Sequence, residues 1–369
     1  MTTVTEPRIA LAHEWLDARA GSEKAFEALA AIFPEADLYA LTDTLGQEFR
    51  AGGRRVATTA IARVPALRSR RDLALPLMPL AWRTVTRTRY DLVITSSHAC
   101  VKGFWPARDA THLCYCYTPM RYVWDGNDQR SGLHRLSALG PRAALRRWDR
   151  RSARWVDSFA AISTAVQDRI ERYYGRASRV IHPPVDTDFY SPGPSGEAPA
   201  GPYVLACSRF IPYKRLDLAI LAADRVGIPV VVAGKGPQEG ALRALADSVK
   251  VPVTFELAPS DDRLRVLYRG ASAFVFPAFE DFGIVAVEAQ ACGTPVVALA
   301  EGGTADTVVD GVTGALVEGQ HVEDFAKGLL RALDIADGGA CVRQAASFST
   351  AAFADRVQAW VAEAREGRL

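Results

Sequence analysis

The feature that most constrains this chain is an alternation of short apolar runs with stretches of helical spacing, laid down twice and separated by a Pro/Gly/Ser-rich break. Strands joined by crossover helices pair in parallel, and a parallel sheet has to be covered by helices on both faces. In the first half the runs Arg8–Ala12, Asp37–Leu41, Asp91–Ser96, His112–Tyr117 and Ser158–Ile162 read as strands. Between the first two, the stretch from Ser22 to Phe33 has apolar residues at helical spacing, with Ser22 as the expected N-cap. The break is Ser191–Pro202, SPGPSGEAPAGP, which reads as a linker. After it come strands at Tyr203–Cys207, Pro229–Ala233, Val251–Leu257, Ala271–Pro277, Thr294–Leu299 and Gly314–Val317. Helices are expected from Lys214, from Gln238, from Asp261, after Phe282 and near Ala305, and Thr350–Glu366 reads as an amphipathic helix. The predicted fold is α/β: two doubly wound domains, residues 1–185 and 186–349, facing each other across a cleft where strand C-termini meet. The C-terminal helix, 350–369, is a candidate to pack back on the first domain.

Composition supports two cores. The chain has 369 residues, too many for one ordinary core, and 49% are apolar. No apolar run approaches the roughly 18 residues of a membrane span. The first residues lack a basic segment followed by a signal-type apolar core, so a soluble, cytoplasmic protein is the expectation. Six cysteines include no C-x-x-C pair, and Cys114 and Cys116 lie two apart in a strand-like run. They read as buried reduced thiols, and no metal site is expected.

Net charge is only +2, but residues 1–185 carry 28 Lys and Arg against 18 Asp and Glu, and the remainder 16 against 24. Much of the positive excess lies in Arg54–Arg89 and Arg135–Arg154. A basic half suits an anionic partner: membrane phospholipid, a phosphorylated acceptor or nucleic acid; against these stands a merely solvated, Arg-rich face. The expectation is peripheral contact with anionic membrane at its inner face, and no nucleic acid.

The strongest chemical signal is FPAFEDFGIVAVEAQACGTPVVA, Phe276 to Ala298. Glu280 follows an apolar strand in a loop, Gly283 permits a tight turn, and Glu288 lies on an otherwise apolar helix. A buried carboxylate needs partners, and sugar or ribose hydroxyls can donate to it. The free amides at the helix start suit phosphate. Arg209 leaves the first strand of the second half, and Lys214 stands five residues on. Two cations at a βα turn suit a diphosphate. Gly234 and Gly236 lack the G-x-G-x-x-G spacing, leaving either a close approach to ligand or a tight turn. In the first half, His13, Trp15, Gly21 and Ser22 lie at the first strand–helix connection, His98 follows one strand, and Tyr117, Thr118 and Pro119 follow another. Asp186-Thr187-Asp188 has the form of a D-x-D metal motif, but its place at the linker favours a turn.

Glu280 and Glu288, Arg209 with Lys214, and the phrase PPVDTDFY together resemble retaining family 4 glycosyltransferases of the GT-B fold, which has two Rossmann-like domains. The resemblance covers essentially the whole chain. SSHACVKG and CYCYTPMRYVWD are similar to the branch that adds mannose or related sugars in bacterial surface-polysaccharide and lipid-linked glycan assembly. It implies a metal-independent hexosyltransferase with no cofactor beyond a nucleoside-diphosphate sugar, GDP-sugars favoured, and a glycan, lipid-linked or small-molecule acceptor. Arg209, Lys214 and Glu280 would be catalytic: the two cations on the diphosphate, the carboxylate on sugar hydroxyls. Phe282, Gly283 and Ile284 would contact sugar and phosphate through their backbone, and Glu288 the ribose. Gly21 would lie near the diphosphate, and His98, Tyr117 and Thr118 would line the substrate side. Two positions depart from the family: Tyr117, where His usually precedes Thr-Pro, and AGSEK at Ala20–Lys24, where two glycines are common. Tyr117 is therefore expected to face the donor sugar and influence which sugar is accepted. Alternatives are a GT-B epimerase or hydrolase, a non-catalytic sugar-nucleotide binder and a two-lobed solute-binding protein.

Overall fold

The computed structural model describes residues 7–18, 20–46, 49, 52–124, 139–194, 196–335 and 337–367. Arg135, the start of the second basic stretch, and Asp125 of the CYCYTPMRYVWD phrase lie outside the described residues. The chain divides into two compact units: Met1–Pro184 with Phe353–Leu369, and Val185–Ala352.

The first unit holds a seven-stranded parallel sheet of β1 (Ile9–Leu16), β2 (Asp37–Asp43), β3 (Val56–Thr58), β4 (Leu92–Ser97), β5 (Thr111–Cys116), β6 (Ser158–Ala161) and β7 (Ser178–Val180), in the order β3-β2-β1-β4-β5-β6-β7. The second holds six parallel strands, β8 (Val204–Cys207), β9 (Val230–Gly234), β10 (Val253–Leu257), β11 (Ala273–Phe276), β12 (Val296–Leu299) and β13 (Gly314–Val317), ordered β10-β9-β8-β11-β12-β13. Each order reverses once, between β1 and β4 and between β8 and β11. In open α/β sheets the carboxyl ends of the strands at such a reversal are where ligands bind. β4, β8, β11 and β12 are buried from end to end, as strands covered on both faces must be.

The helix ends follow their local chemistry, with two corrections. Ser260 caps Asp261–Gly270 by accepting from the Arg263 N–H, and Gly175, at φ 63°, closes Thr164–Tyr174. Ser22 is not a cap: the helix is Gly21–Ile32, Ala20 precedes it without a side-chain bond, and the Ser22 hydroxyl donates to Glu23 Oε2 at 2.8 Å. The helix expected from Lys214 starts at Leu216, because Arg215 takes a left-handed φ of 50° and leaves Lys214 in a separate 3-10 turn, Pro212–Lys214.

The C-terminal helix, Thr350–Arg365, is built into the first unit from Phe353 onward. Trp360 is fully buried and donates to Ser158 Oγ at 2.9 Å, and Phe353 packs edge-on to Tyr115. Ser191, at the start of the break, accepts from Arg269 Nε at 2.7 Å, so the break begins laid against helix Asp261–Gly270 of the second unit.

A buried polar network runs through the first unit. Lys102 and Asp149 are both fully buried, their Nζ and Oδ1 atoms 3.0 Å apart. Asp149 Oδ2 accepts from Trp124 Nε1 (2.7 Å) and the Tyr174 hydroxyl (2.8 Å), while Lys102 also donates to the Ala99 carbonyl at 2.9 Å. Glu14 Oε1 accepts from the N–H groups of Ala99 and Val101 at 2.7 and 2.9 Å, tying the end of β1 to the turn after β4. The six cysteines are all buried and free.

Candidate functional site

The second unit carries Arg209, Lys214 and Glu280 on the loops after β8 and β11, where its strand order reverses. The loop after β8 carries Arg209, and its shape is set by the loop after β9. Phe210 N–H donates to the Lys235 carbonyl and Gln238 N–H to the Phe210 carbonyl, at 2.9 and 3.0 Å. Gly234 and Gly236 make this approach possible: a Cβ at Gly234 would fall 1.9 Å from the Ser208 oxygen, and one at Gly236 2.6 Å from the Phe210 oxygen. The close approach at these glycines is therefore to the neighbouring loop. It leaves the Arg209 side chain exposed, with Nη2 3.3 Å from the Tyr213 hydroxyl.

The loop after β11 carries Glu280. Its carbonyl accepts from the Gly303 N–H at 2.8 Å. At Gly303 any side chain would lie 2.1 Å from Phe282 Cα, so the Gly302–Gly303 pair after β12 seats the Glu280–Phe282 backbone. Gly283, at φ 85°, then opens helix Ile284–Ala291. Sequence reasoning missed this role of Gly302 and Gly303, although a Gly-Gly pair after a strand was the available signal.

Lys214 and Glu280 meet directly: Nζ lies 2.5 Å from Oε1, with side chains 10% and 25% exposed. The ammonium also lies near the faces of Tyr213 and Phe276, 5.3 and 5.4 Å from the ring centres. The residues expected on a diphosphate and on a sugar thus form one partly buried pair at the reversal, with a guanidinium on the same β8 loop. Glu288 is buried a turn into the following helix and accepts from the fully buried Tyr268 hydroxyl at 3.2 Å. Its hydrogen-bonding neighbour, Tyr268, was not legible in the sequence. Burial, and then the Glu288 carboxylate, push the Cys207 thiol up to about 12, which keeps it an inert neutral group beside this site.

In the first unit, Gly21 begins the helix after β1, His98 follows β4, and Tyr117 and Thr118 follow β5. The rings of His13, His98 and Tyr117 lie within about 6 Å of one another, and His98 sits 4.5 Å edge-on from Trp15. The Tyr117 hydroxyl donates to the Ser22 carbonyl (2.9 Å) and lies 3.0 Å from Ser96 Oγ, which in turn is 2.9 Å from His13 Nδ1. Thr118 Oγ1 accepts from Arg169 at 3.1 Å. Both hydroxyls are engaged inside this unit, and Tyr117 is only 8% exposed. This revises the expected direction of the Tyr117 hydroxyl: it braces the start of the helix at Ser22. The reason is length, since a tyrosine here reaches across to the first turn of the helix after β1. Asp186-Thr187-Asp188 forms a turn in which Asp186 Oδ1 accepts from the Phe189 N–H at 3.0 Å. Among the described residues no group of three or more His, Cys, Asp or Glu is placed to hold a metal ion.

The interior histidines make this unit acid-sensitive. Burial pushes His13 down to about 3 and His112 to about 4, against an ordinary value near 6.5. His112 Nδ1–H donates to the Trp155 carbonyl, which leaves Nε2 to accept from Thr95. A group whose folded pKa is depressed in this way is neutral in both states above about pH 6.5. As pH falls through 6.5, the unfolded chain takes up the proton first, so stability is lost progressively down to the folded values. Denaturant midpoints should be flat from pH 7 to 8 and fall steadily from about pH 6.5 to 4.5, and His112→Asn should reduce that slope. A profile flat to pH 4.5 would contradict this.

Residues 27–189 match the sequence family described as Glycosyltransferase Family 4, and residues 192–347 the one described as Glycosyl transferases group 1. The fold is GT-B: the crystal structure of Anabaena HepE in complex with UDP superposes with a TM-score of 0.72 over 96% of this chain and 100% of that one, at 19% identity. Sucrose-phosphate synthase from Thermosynechococcus elongatus gives 0.71 over 97% and 100%, also at 19%. The two matched stretches follow one another along the chain, one in each half. Among curated proteins, the D-inositol 3-phosphate glycosyltransferase of Mycolicibacterium smegmatis is 40% identical over 200 residues, 49% of this chain and 46% of that protein. That of Mycobacterium tuberculosis strain F11 is 39% identical over 194 residues, 46% and 40%. The chain spans less than half the length of these curated relatives.

Proposed function

We propose that this protein is a retaining glycosyltransferase that moves a hexose-type sugar, mannose or a modified relative, from a nucleoside-diphosphate sugar to a glycan, lipid-linked or small-molecule acceptor. The observation that carries this reading is the Lys214–Glu280 pair at the β8/β11 reversal, with Arg209 on the same loop. When the sugar–phosphate bond breaks, negative charge gathers on the departing diphosphate. Preorganised cations stabilise that charge more than they stabilise the ground state. Lys214 and Arg209 take this role, aided by the N–H groups at the start of helix Ile284–Ala291. Lys214 turns toward phosphate as donor binds, and the Glu280 carboxylate, released from it, accepts from sugar hydroxyls. Glu288 accepts from the ribose. The acceptor attacks from the face the diphosphate leaves, so the anomeric configuration is kept.

A guanine donor is favoured by the resemblance to mannosyltransferases, whereas HepE was crystallised with UDP, so the base is open to test. The names of the curated relatives and the +10 charge of residues 1–185 both favour a phosphorylated polyol as the small-molecule acceptor. A thermal-shift screen of GDP-, UDP- and ADP-sugars, followed by product analysis with and without acceptors, tests the reading. One donor class should raise Tm, by mass action, and be consumed appreciably only when an acceptor is present. No stabilising donor, or hydrolysis at the same rate without acceptor, would count against transfer.

A further inference from the structure

The first unit carries a surface built from none of the residues assigned above to donor binding. Arg71–Ala74, Leu75–Leu77 and Met78–Thr84 are consecutive helical turns. One face is core, with Leu75, Met78 and Trp82 buried. The other face carries leucines where a surface helix ordinarily carries polar residues. Leu73, Leu77 and Leu80, spaced four and three apart, are 46%, 45% and 61% exposed. Contiguous exposed leucines mark a surface that meets something apolar.

An arginine–tryptophan belt begins where these leucines end. The Arg83 guanidinium lies 4.5 Å from the centre of the Trp105 ring, Arg108 lies 4.3 Å from the same centre, and Arg108 is also 4.8 Å from Trp155. Arg83, Arg87 and Arg89 line a groove of about 480 Å³ with Trp105, in which Asp109 is the only carboxylate among the described residues. Trp155 also borders a second groove, about 830 Å³, lined by Arg147, Arg151 and Arg154 and, among the described residues, by no carboxylate. Guanidinium planes stacked on indole are weakly hydrated and keep their N–H edges for phosphate oxygens.

We propose that this surface docks on an anionic bilayer, with Leu73, Leu77 and Leu80 entering the acyl boundary and the arginine grooves binding lipid phosphates. The two features select the occupant together. A soluble anion would satisfy the arginines and leave the leucines in water. A second copy of this chain would cover the leucines but set one arginine belt against another. An anionic membrane meets both, and tryptophan is enriched at its headgroup level.

Flotation with vesicles of phosphatidylcholine alone, and of phosphatidylcholine with roughly a third phosphatidylglycerol, tests the proposal. The full chain should bind the anionic vesicles and release them as salt rises. Leu77→Ser/Leu80→Ser should bind about tenfold more weakly, with unchanged circular dichroism and unchanged mass by light scattering. Arg83→Gln/Arg87→Gln should lose most of the preference for anionic vesicles. Equal binding to both vesicle types, or undiminished binding by the leucine variant, overturns the proposal. So does a wild-type dimer that the leucine substitutions dissociate, or full release by inorganic phosphate at matched ionic strength.

Discussion

Lys102→Met should destabilise the protein by about 3–5 kcal/mol, the range for removing one partner of a buried ion pair. The loss arises from what is left behind. Asp149 would stay fully buried, with Trp124 and Tyr174 donating to Oδ2 and the ammonium beside Oδ1 gone. Burial alone disfavours the Lys102 ammonium, but the Asp149 carboxylate 3.0 Å away outweighs it, so its pKa is raised and it stays charged. A raised folded pKa contributes stability that is present below the unfolded lysine value, about 10.4, and is lost only above it. The effect of the substitution should therefore be undiminished at neutral pH. The double variant Lys102→Met/Asp149→Leu should recover much of the loss, because a matched apolar pair carries no unpaired charge. Urea unfolding of the three proteins gives the comparison. A loss below about 1 kcal/mol in the single variant would mean that water, not Lys102, compensates Asp149.

Lys102 also shows where the sequence stops being informative. The alternation of strands and helices was legible because parallel strands buried on both faces must be apolar: β4, β8 and β11 all stood out. Two edge strands of the first sheet were not, since Val56–Thr58 and Ser178–Val180 have three residues each and none fully buried. Arg209, Lys214, Glu280 and Glu288 were legible because charged residues in otherwise apolar strand–helix junctions need a reason to be there. Their supports were not. Tyr268 and Gly303 lie 20 and 23 residues from Glu288 and Glu280, and Asp149 lies 47 from Lys102. Such pairings depend on which strands become neighbours, and local pattern does not record that. The Tyr117 hydroxyl is the same case, because its direction depends on Ser22, 95 residues away.

Arg209→Ala and Lys214→Ala should each lower kcat/KM by roughly 10²–10³, as removal of one electrostatic contact to a transition state typically does. The two should differ in detail. Lys214 is buried and paired, so its removal also leaves Glu280 without its cation and should cost the more. Arg209 is exposed, and its removal should leave stability unchanged while acting on donor turnover. Because both act on the diphosphate, their effects should be far from additive in the double variant.

The most direct test needs no acceptor and no knowledge of the sugar. Calorimetric titration of GDP, UDP and ADP into the wild-type chain and into the Arg209→Ala and Lys214→Ala variants asks whether the second unit holds a diphosphate where these cations stand. At least one of the three nucleotides should bind the wild type, and the same nucleotide should bind each variant about tenfold or more weakly. No binding by any of them, or equal affinity in wild type and variants, would contradict the assignment of this site.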